Sequence, residues 1–518
     1  MIMILSLLSL LVAPGPARAA TGYTLTGAAA GGGTTSSVTA IKLSVTFRNN
    51  GHAVKKATAT LQYLKGGAWV TEKKVAVRSG KGSVKVKHGV GDRTYRFTVS
   101  GKATSVSFIV HFVPATFTVA GSGRGHGVGM AQWGAYELAR DMDWSAEQIL
   151  EYYYAGAKVD TAINNPRTVK VQVLGPPADS RTTTTLSITT GGFSINDGST
   201  VVATTKARKP IAIGVRGSKA TAKVTLANGK TKSVTATRLG FTWNTAKATV
   251  SVAGAHGSYR YGNLQVTVIG GRPNVVNELK MNTEYLYGID EMPASWGSAA
   301  GGGMEALKAQ VIAARSYVIT SALKWRTEMD ALGANPACDC QVFDDSRSQN
   351  FTGWNKTGGA GGTTWRKAVD ETLTASTVRV LRPSASTAGQ IAETPYFASS
   401  GSYTAGGVTY SGTVSNADAF GTAAVGYLSH VDDPYSVLAP GNPYHTWTVK
   451  VSQAKANRLF GIGTLRSLQV TERYAGGQVK SMTATSVTGT SGTVTRTAEG
   501  WRISLGLPGP WVADVTGR

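Results

Sequence analysis

YLYGIDEMPASWGSAAGGGMEALKAQVIAARSY, Tyr285 to Tyr317, sets one carboxylate, Glu291, on a Met-Pro turn directly ahead of a helix. Pro293 fixes its own φ and biases Met292 toward extended geometry, so the backbone at Glu291 is stiff. Trp296 supplies apolar bulk of the kind that raises a carboxyl pKa. A solitary acid held in this way suggests acid/base chemistry. The helix behind it, expected over Met304 to Arg326, repeats Leu307, Val311, Ala314 and Val318 on one face, with Lys308 and Arg315 flanking that stripe. A shorter helix is expected over Thr364 to Thr374.

Upstream, the pattern from Arg167 to Gly270 is β: VKVQVL, TLSITT, PIAIGV, AKVTL, KATVSVAG and LQVTVIG are separated by turn signals at ANGK, GS and GG. Before that lies a glycine-rich run, GSGRGHGVGM, followed by AQWGAYELARDMDWSAEQILEYYYAG. Helical signals begin at Met130, and Ser145 can cap a second helix that Gly156 stops. The glycines around His126 permit positive φ and close backbone approach. Such a loop is either a structural turn or a substrate-facing one, and several N–H groups beside an imidazole favour the second.

Further outward, KLSVTFR, ATLQYL, KKVAVR, SVKVKH and YRFTVS alternate apolar and polar residues between NNG, KGG, SGKG and GVGD, the pattern of a small β-sandwich. Lysines take the solvent face. From Ile41 to Lys102 there are 14 Lys or Arg against Glu72 and Asp92, within a chain of formal net charge +24. A surface this basic favours polyanions. No recognition helix, zinc-finger spacing or aromatic RNP pattern accompanies it, so nucleic acid is not the expected partner.

At the start, the apolar run Ile2 to Val12 and the PARAA that follows read as a signal peptide cleaved near Ala19 or Ala20, with a retained amphipathic anchor as the alternative. Export narrows the polyanions to wall phosphate polymers, stem-peptide carboxylates and lipid headgroups. The two cysteines, Cys338 and Cys340, are expected to stay unbridged, because two residues apart in a strand their Cα atoms lie near the upper limit for a disulfide. They read as structural or redox-neutral thiols; a zinc or redox role is the alternative and would need further ligands.

The fold class expected from these patterns is α+β and strand-rich. A signal peptide (1–20) and a Gly/Ser/Thr-rich linker (21–40) precede a basic β-sandwich (41–113). A helical segment (114–160) follows, then a long core (161–518) that is mostly β over 161–270 and carries the catalytic motifs over 271–450. A chain of 518 residues is long enough for several such units.

YGNLQVTVIGGRPNVVNELKMNTEYLYGIDEMPASW followed by EALKAQVIAARSYV resembles the core of the SpoIID/LytB family, the stage II sporulation protein D type of peptidoglycan enzyme. GRGHGVGMAQWGAYELA, ILEYYYAG, CDCQVFDDSRSQNFTGW, TPYFASSGSYT and GWRISLGLPGPW extend the likeness over most of Phe117 to Val515. The resemblance implies a SpoIID-like catalytic region and a lytic transglycosylase, which cuts between N-acetylmuramic acid and N-acetylglucosamine of glycan strands and leaves 1,6-anhydro ends. It makes Glu291 the catalytic acid/base. One carboxyl suffices when the sugar's own 6-hydroxyl replaces water, whereas ordinary glycosidases need two. His126, Gln132, Gln349, Ser399 and Ser400 become candidates for holding the sugar. Arg315 either binds a substrate carboxylate or pairs with an acid of the fold, the latter being favoured. No cofactor is expected unless zinc sits at the cysteines. Expected partners are glycan strands, with anionic wall polymers and a cell-wall amidase as further ones. Two other readings stand beside this one: a non-catalytic wall-binding modifier of an amidase, and a muramidase that uses water.

Two features depart from the family pattern. SAAGGGM is inserted behind Trp296, which suggests a mobile link. GHGVGM also precedes the core instead of following the LGL-type segment. A circular permutation explains that order and requires His126 and its helices to pack near Trp501 to Trp511 and near Glu291.

Overall fold

The computed structural model describes residues 22–517, apart from 165–166, 207–208, 244, 326–332 and 388. The expected signal peptide, 1–20, lies outside the described residues. The chain is strand-rich α+β. No described helix is long and apolar enough to cross a membrane.

The N-terminal strands form one 10-stranded sheet. Its central path runs Ile41–Asn49, Lys81–Val86, Ala68–Arg78, Lys56–Lys65, Gly91–Val99, Phe108–Val113. The sheet curls until Tyr23–Ala29 meets the Gly91–Val99 and Phe108–Val113 strands, so the two facing layers expected of a sandwich come from one continuous sheet. Alternation decides the faces: Leu43, Val45, Phe47, Leu61, Val77, Tyr95 and Phe97 point inward as a separate core, and the lysines point out.

The stretch read as a linker, 21–40, belongs to this sheet instead. Tyr23–Ala29 pairs antiparallel with Ile41–Asn49, Leu25 opposite Phe47, and Thr34–Ser36 pairs parallel with Phe108–Val113. Leu25 is buried, and Gly27 leaves room for the Phe97 and Phe108 rings, which a Cβ there would meet at 2.7 Å. Glycine content here marks close packing rather than a spacer.

Beyond Val113 the chain pairs at once with its C-terminal part: Thr116–Ser122 lies between Trp447–Ser452 and Trp511–Gly517. Phe117, Val119, Trp501, Leu505, Leu507 and Val512 share a core. This closure brings the glycine loop beside the C-terminal strand, as the permuted motif order requires.

In the central region a 6-stranded sheet packs on a 7-stranded one, and helices α1 (Gln132–Asp141), α2 (Ala146–Tyr153) and α3 (Met304–Leu323) share the same core. Ser145 caps α2 through Gln148 in a reciprocal capping box. Helix α3 stops at Leu323, short of the expected Arg326, which is outside the described residues. It is buried around most of its circumference rather than on one stripe, because α1, α2, the helix Gly362–Asp370 and the strand Thr377–Arg382 surround it. Lys308 leaves the packed zone and pairs with Glu305 and Glu371 at 2.8 and 2.7 Å.

Candidate active site

The backbone at Glu291 is clamped from both sides. Ile289 bridges Phe351, Asp290 N–H donates to Asn350 O at 2.8 Å, and Pro293 at φ −60° starts a short 3-10 turn over Ala294–Gly297. Met292 and Ala294 are buried on either side of the proline. The chain therefore delivers the Glu291 side chain in one direction.

Two donors converge on Oε1: the Asn350 N–H at 2.7 Å and the Tyr396 hydroxyl at 3.3 Å. The Gln132 side chain lies beside the carboxyl and is a smaller influence in the same sense. Burial pushes the Glu291 pKa above the usual carboxyl value; the Asn350 and Tyr396 hydrogen bonds and the Gln132 side chain pull it back, and the neighbouring Asp290 charge adds to the rise. Asp290 itself pairs with the buried Lys356 ammonium at 2.9 Å. Among the described residues no Lys, Arg or His forms an ion pair with Glu291. Burial therefore shifts Glu291 toward its protonated form.

Of the residues singled out in the sequence, Gln132 and Gln349 join Glu291. Gln132 Nε2 donates to Gln310 Oε1 of α3 at 3.1 Å. Gln349 stands one step back: its Nε2 donates to the Tyr396 hydroxyl at 2.8 Å and its Oε1 accepts from the Tyr285 hydroxyl at 2.8 Å. It is fully buried, so it orients Tyr396 rather than reaching a sugar.

Arg315 is a correction. It is fully buried and among the described residues meets no acid: Nη1 donates to Thr372 O and Arg379 O at 3.3 and 3.0 Å, and Nη2 to Thr372 Oγ1 at 2.9 Å. It ties α3 to the neighbouring strand and lines no site. Burial lowers its pKa to about 9.

His126 packs between the rings of Phe397 and Phe420, with its Nδ1 accepting from Val128 N–H at 3.0 Å. Burial lowers its pKa to about 4, against the pull of Glu499. The loop that carries it serves the site indirectly. Met130–Ala131 pairs in parallel with Tyr396–Phe397, and a Cβ at Gly129 would lie 2.0 Å from Pro395 O. The glycines let the loop lie flat against the strand that holds Tyr396.

Ser399 and Ser400 are buried away from Glu291, in a second polar cluster. Ser399 Oγ accepts from Asn442 Nδ2 at 2.9 Å, and Ser400 N–H donates to Ser436 Oγ at 3.3 Å. At the centre is Asp433, fully buried, accepting from the Tyr153 hydroxyl at 2.9 Å and from Ser436 Oγ at 2.6 Å. Burial raises its pKa. Gly134 of α1 sits on this cluster, where a Cβ would be 2.0 Å from the Tyr153 hydroxyl.

The insertion behind Glu291 is pinned rather than mobile. Trp296 stacks on Tyr136 with ring centroids 4.3 Å apart and meets Trp133 edge-on at 4.7 Å. The Tyr136 hydroxyl donates to Gly301 O at 2.9 Å, and Gly303 N–H to Trp296 O at 2.7 Å. The cysteines are also corrected: Cys338 and Cys340 are disulfide-bonded. Asp339 at φ +52° turns the chain between them and brings the Cα atoms to 5.1 Å, well inside the bridging range at whose upper edge an extended strand would leave them. Bridged sulfurs are not thiolate ligands. Asn350 and Tyr396 went unnoticed as individual residues, although both lie inside quoted motifs. Asp433 had no sequence signal beyond a DDP turn.

The scaffold is strand-rich α+β, and it presents Glu291 as a half-buried, hydrogen-bonded acid. Residues 270–377, the stretch that includes Glu291 and α3, match the family model SpoIID, described as "Stage II sporulation protein". That family is linked to cell-wall hydrolysis. Over 85 residues the chain is 35% identical to "Uncharacterized protein BHWA1_00569" of Brachyspira hyodysenteriae (strain ATCC 49526 / WA1), covering 16% of this chain and 23% of that protein. The chain thus spans about a quarter of the length of this relative. Two solved structures overlap weakly. One is trypsin-activated alpha-2-macroglobulin from Escherichia coli (TM-score 0.16, 9% identity, 50% of this chain, 15% of that one). The other is the Yersinia pseudotuberculosis adhesin InvE (TM-score 0.15, 12% identity, 49% and 72%). Likeness at that level carries no argument.

Proposed function

We propose that the protein is an exported lytic transglycosylase of peptidoglycan glycan strands, with Glu291 as its one acid/base. The observation that supports this is a half-buried carboxyl, free of ion pairs among the described residues, at the end of the hydrogen-bonded series Gln349, Tyr396, Glu291. Protonated Glu291 gives its proton to the glycosidic oxygen as the C1–O bond breaks. The resulting carboxylate takes the proton of the 6-hydroxyl of the same sugar as that oxygen bonds to C1, which restores the acid. No water and no second carboxylate enter, and Asp290 is engaged by Lys356.

Asn350 and Tyr396 hold the carboxylate form while burial favours the protonated one, the balance a group with both duties needs. A purely wall-binding role would leave this arrangement without a purpose. The test is digestion of purified glycan strands, with and without stem peptides, followed by mass analysis. Anhydro ends that vanish in Glu291→Gln support the proposal; reducing ends indicate a muramidase, and intact strands indicate a binding protein.

A further inference from the structure

The N-terminal sheet carries a charge arrangement that its own fold does not neutralise. Lys42 lies directly opposite Lys85, Arg78 opposite Lys81, and Lys56 opposite Arg78. All five are exposed, as is Lys74, four residues before Arg78 in the same strand. Among the described residues none of these six forms an ion pair. The acids of the region are engaged elsewhere: Glu72 with His88 at 3.0 Å, and Asp92 with His111 and Arg466 at 2.8 and 2.6 Å.

Like charges directly opposite one another across strands are destabilising. With strands about 4.8 Å apart and about 3.3 Å per residue along them, the cations, spread over four neighbouring strands, occupy roughly 14 by 13 Å of one outward face. Close spacing of this kind is relieved by an anion that reaches several cations at once. We propose that this face is a binding site for a linear phosphodiester polymer of the cell exterior, of the poly(glycerol phosphate) kind, lying across the strands.

Charge complementarity carries the assignment, and the aromatic side chains select among polyanions. Single-stranded nucleic acid sites use free rings on which bases stack. None of the six cations neighbours an open ring in the strand register, and two rings farther along the same strands are covered: Arg96 lies 4.1 Å over Trp69 and Arg93 lies 5.1 Å over Tyr63. The face therefore offers charge without stacking platforms. The inference rests on the proposed export and is independent of what Glu291 does.

The test uses the full chain and synthetic poly(glycerol phosphate). Lys42→Gln, Arg78→Gln, Lys81→Gln and Lys85→Gln are combined in one variant. A control combines Lys209→Gln, Lys219→Gln, Lys223→Gln and Lys230→Gln, four exposed lysines outside this sheet, and loses the same net charge. Circular dichroism and Tm establish that both remain folded. The face variant is expected to bind at least tenfold more weakly, and its slope of log Kd against log salt falls by about 3, at about 0.7–0.9 per lost contact. The control stays within about twofold of wild type, and Glu291→Gln keeps full affinity. Equal loss in both charge variants, or none in the face variant, would overturn the proposal. So would single-stranded DNA of matched charge outcompeting the polymer.

Discussion

The Tyr396 hydroxyl donates to Glu291 Oε1 at 3.3 Å while it accepts the Gln349 amide at 2.8 Å. The tyrosine therefore has one orientation and favours the carboxylate form of Glu291. In Tyr396→Phe that pull is gone and the Glu291 pKa rises further. The alkaline limb of kcat/KM on glycan strands is expected to move to higher pH, with a lower maximum. An unmoved limb would show that Tyr396 and Glu291 are not linked in the reaction.

Arg315 is predicted to support the fold alone. Arg315→Met removes every donor to Thr372 O, Arg379 O and Thr372 Oγ1, at a cost of about 3 kcal/mol. A clear fall in Tm is expected, with KM for glycan unchanged in the folded fraction. A raised KM with Tm intact would return Arg315 to the binding site.

These two residues mark what the sequence could and could not convey. Glu291 was legible because a Met-Pro turn and a long apolar helix are local patterns. The role of Arg315 was not, since whether a guanidinium faces a ligand or a carbonyl depends on which strand lies over α3. The strands of the basic sheet followed from period-two alternation. Its first strand was missed because glycine and threonine read as linker until Phe97 and Phe108 are seen packed on Gly27. The Asp339 turn was hidden for a similar reason, as an extended chain is the default expectation between two cysteines.

His126 gives a pH dependence of stability. Its folded pKa of about 4 lies below the unfolded value near 6.5, so between these limits the unfolded chain binds more protons. Its contribution is complete above about pH 6.5, declines as pH falls, and is lost below about pH 4, a difference of about 3 kcal/mol. Asp344, raised to about 6 chiefly by burial, acts in the opposite sense over part of this window. The check is therefore the difference between wild type and His126→Asn, which keeps an acceptor for Val128 N–H. In denaturant titrations from pH 7 to pH 4 the variant should lose less stability than wild type; parallel curves would refute the assignment.

The disulfide closes a very short loop, so its contribution is small. Replacing Cys338 and Cys340 together by Ser should cost roughly 1–2 kcal/mol. Without reduction, iodoacetamide should label neither cysteine of the described pair, and a chelator should leave Tm unchanged. Labelling of the unreduced protein, or a chelator-dependent fall in Tm, would restore the thiol or zinc reading.

The central claim is that Glu291 acts alone by turning the sugar's own hydroxyl into the nucleophile. Cleavage of glycan strands in water enriched in heavy oxygen tests it most directly. The account predicts new ends that carry no heavy oxygen and are lighter by one water than a reducing end. Incorporation of one heavy oxygen per cut would contradict it and assign the attack to water.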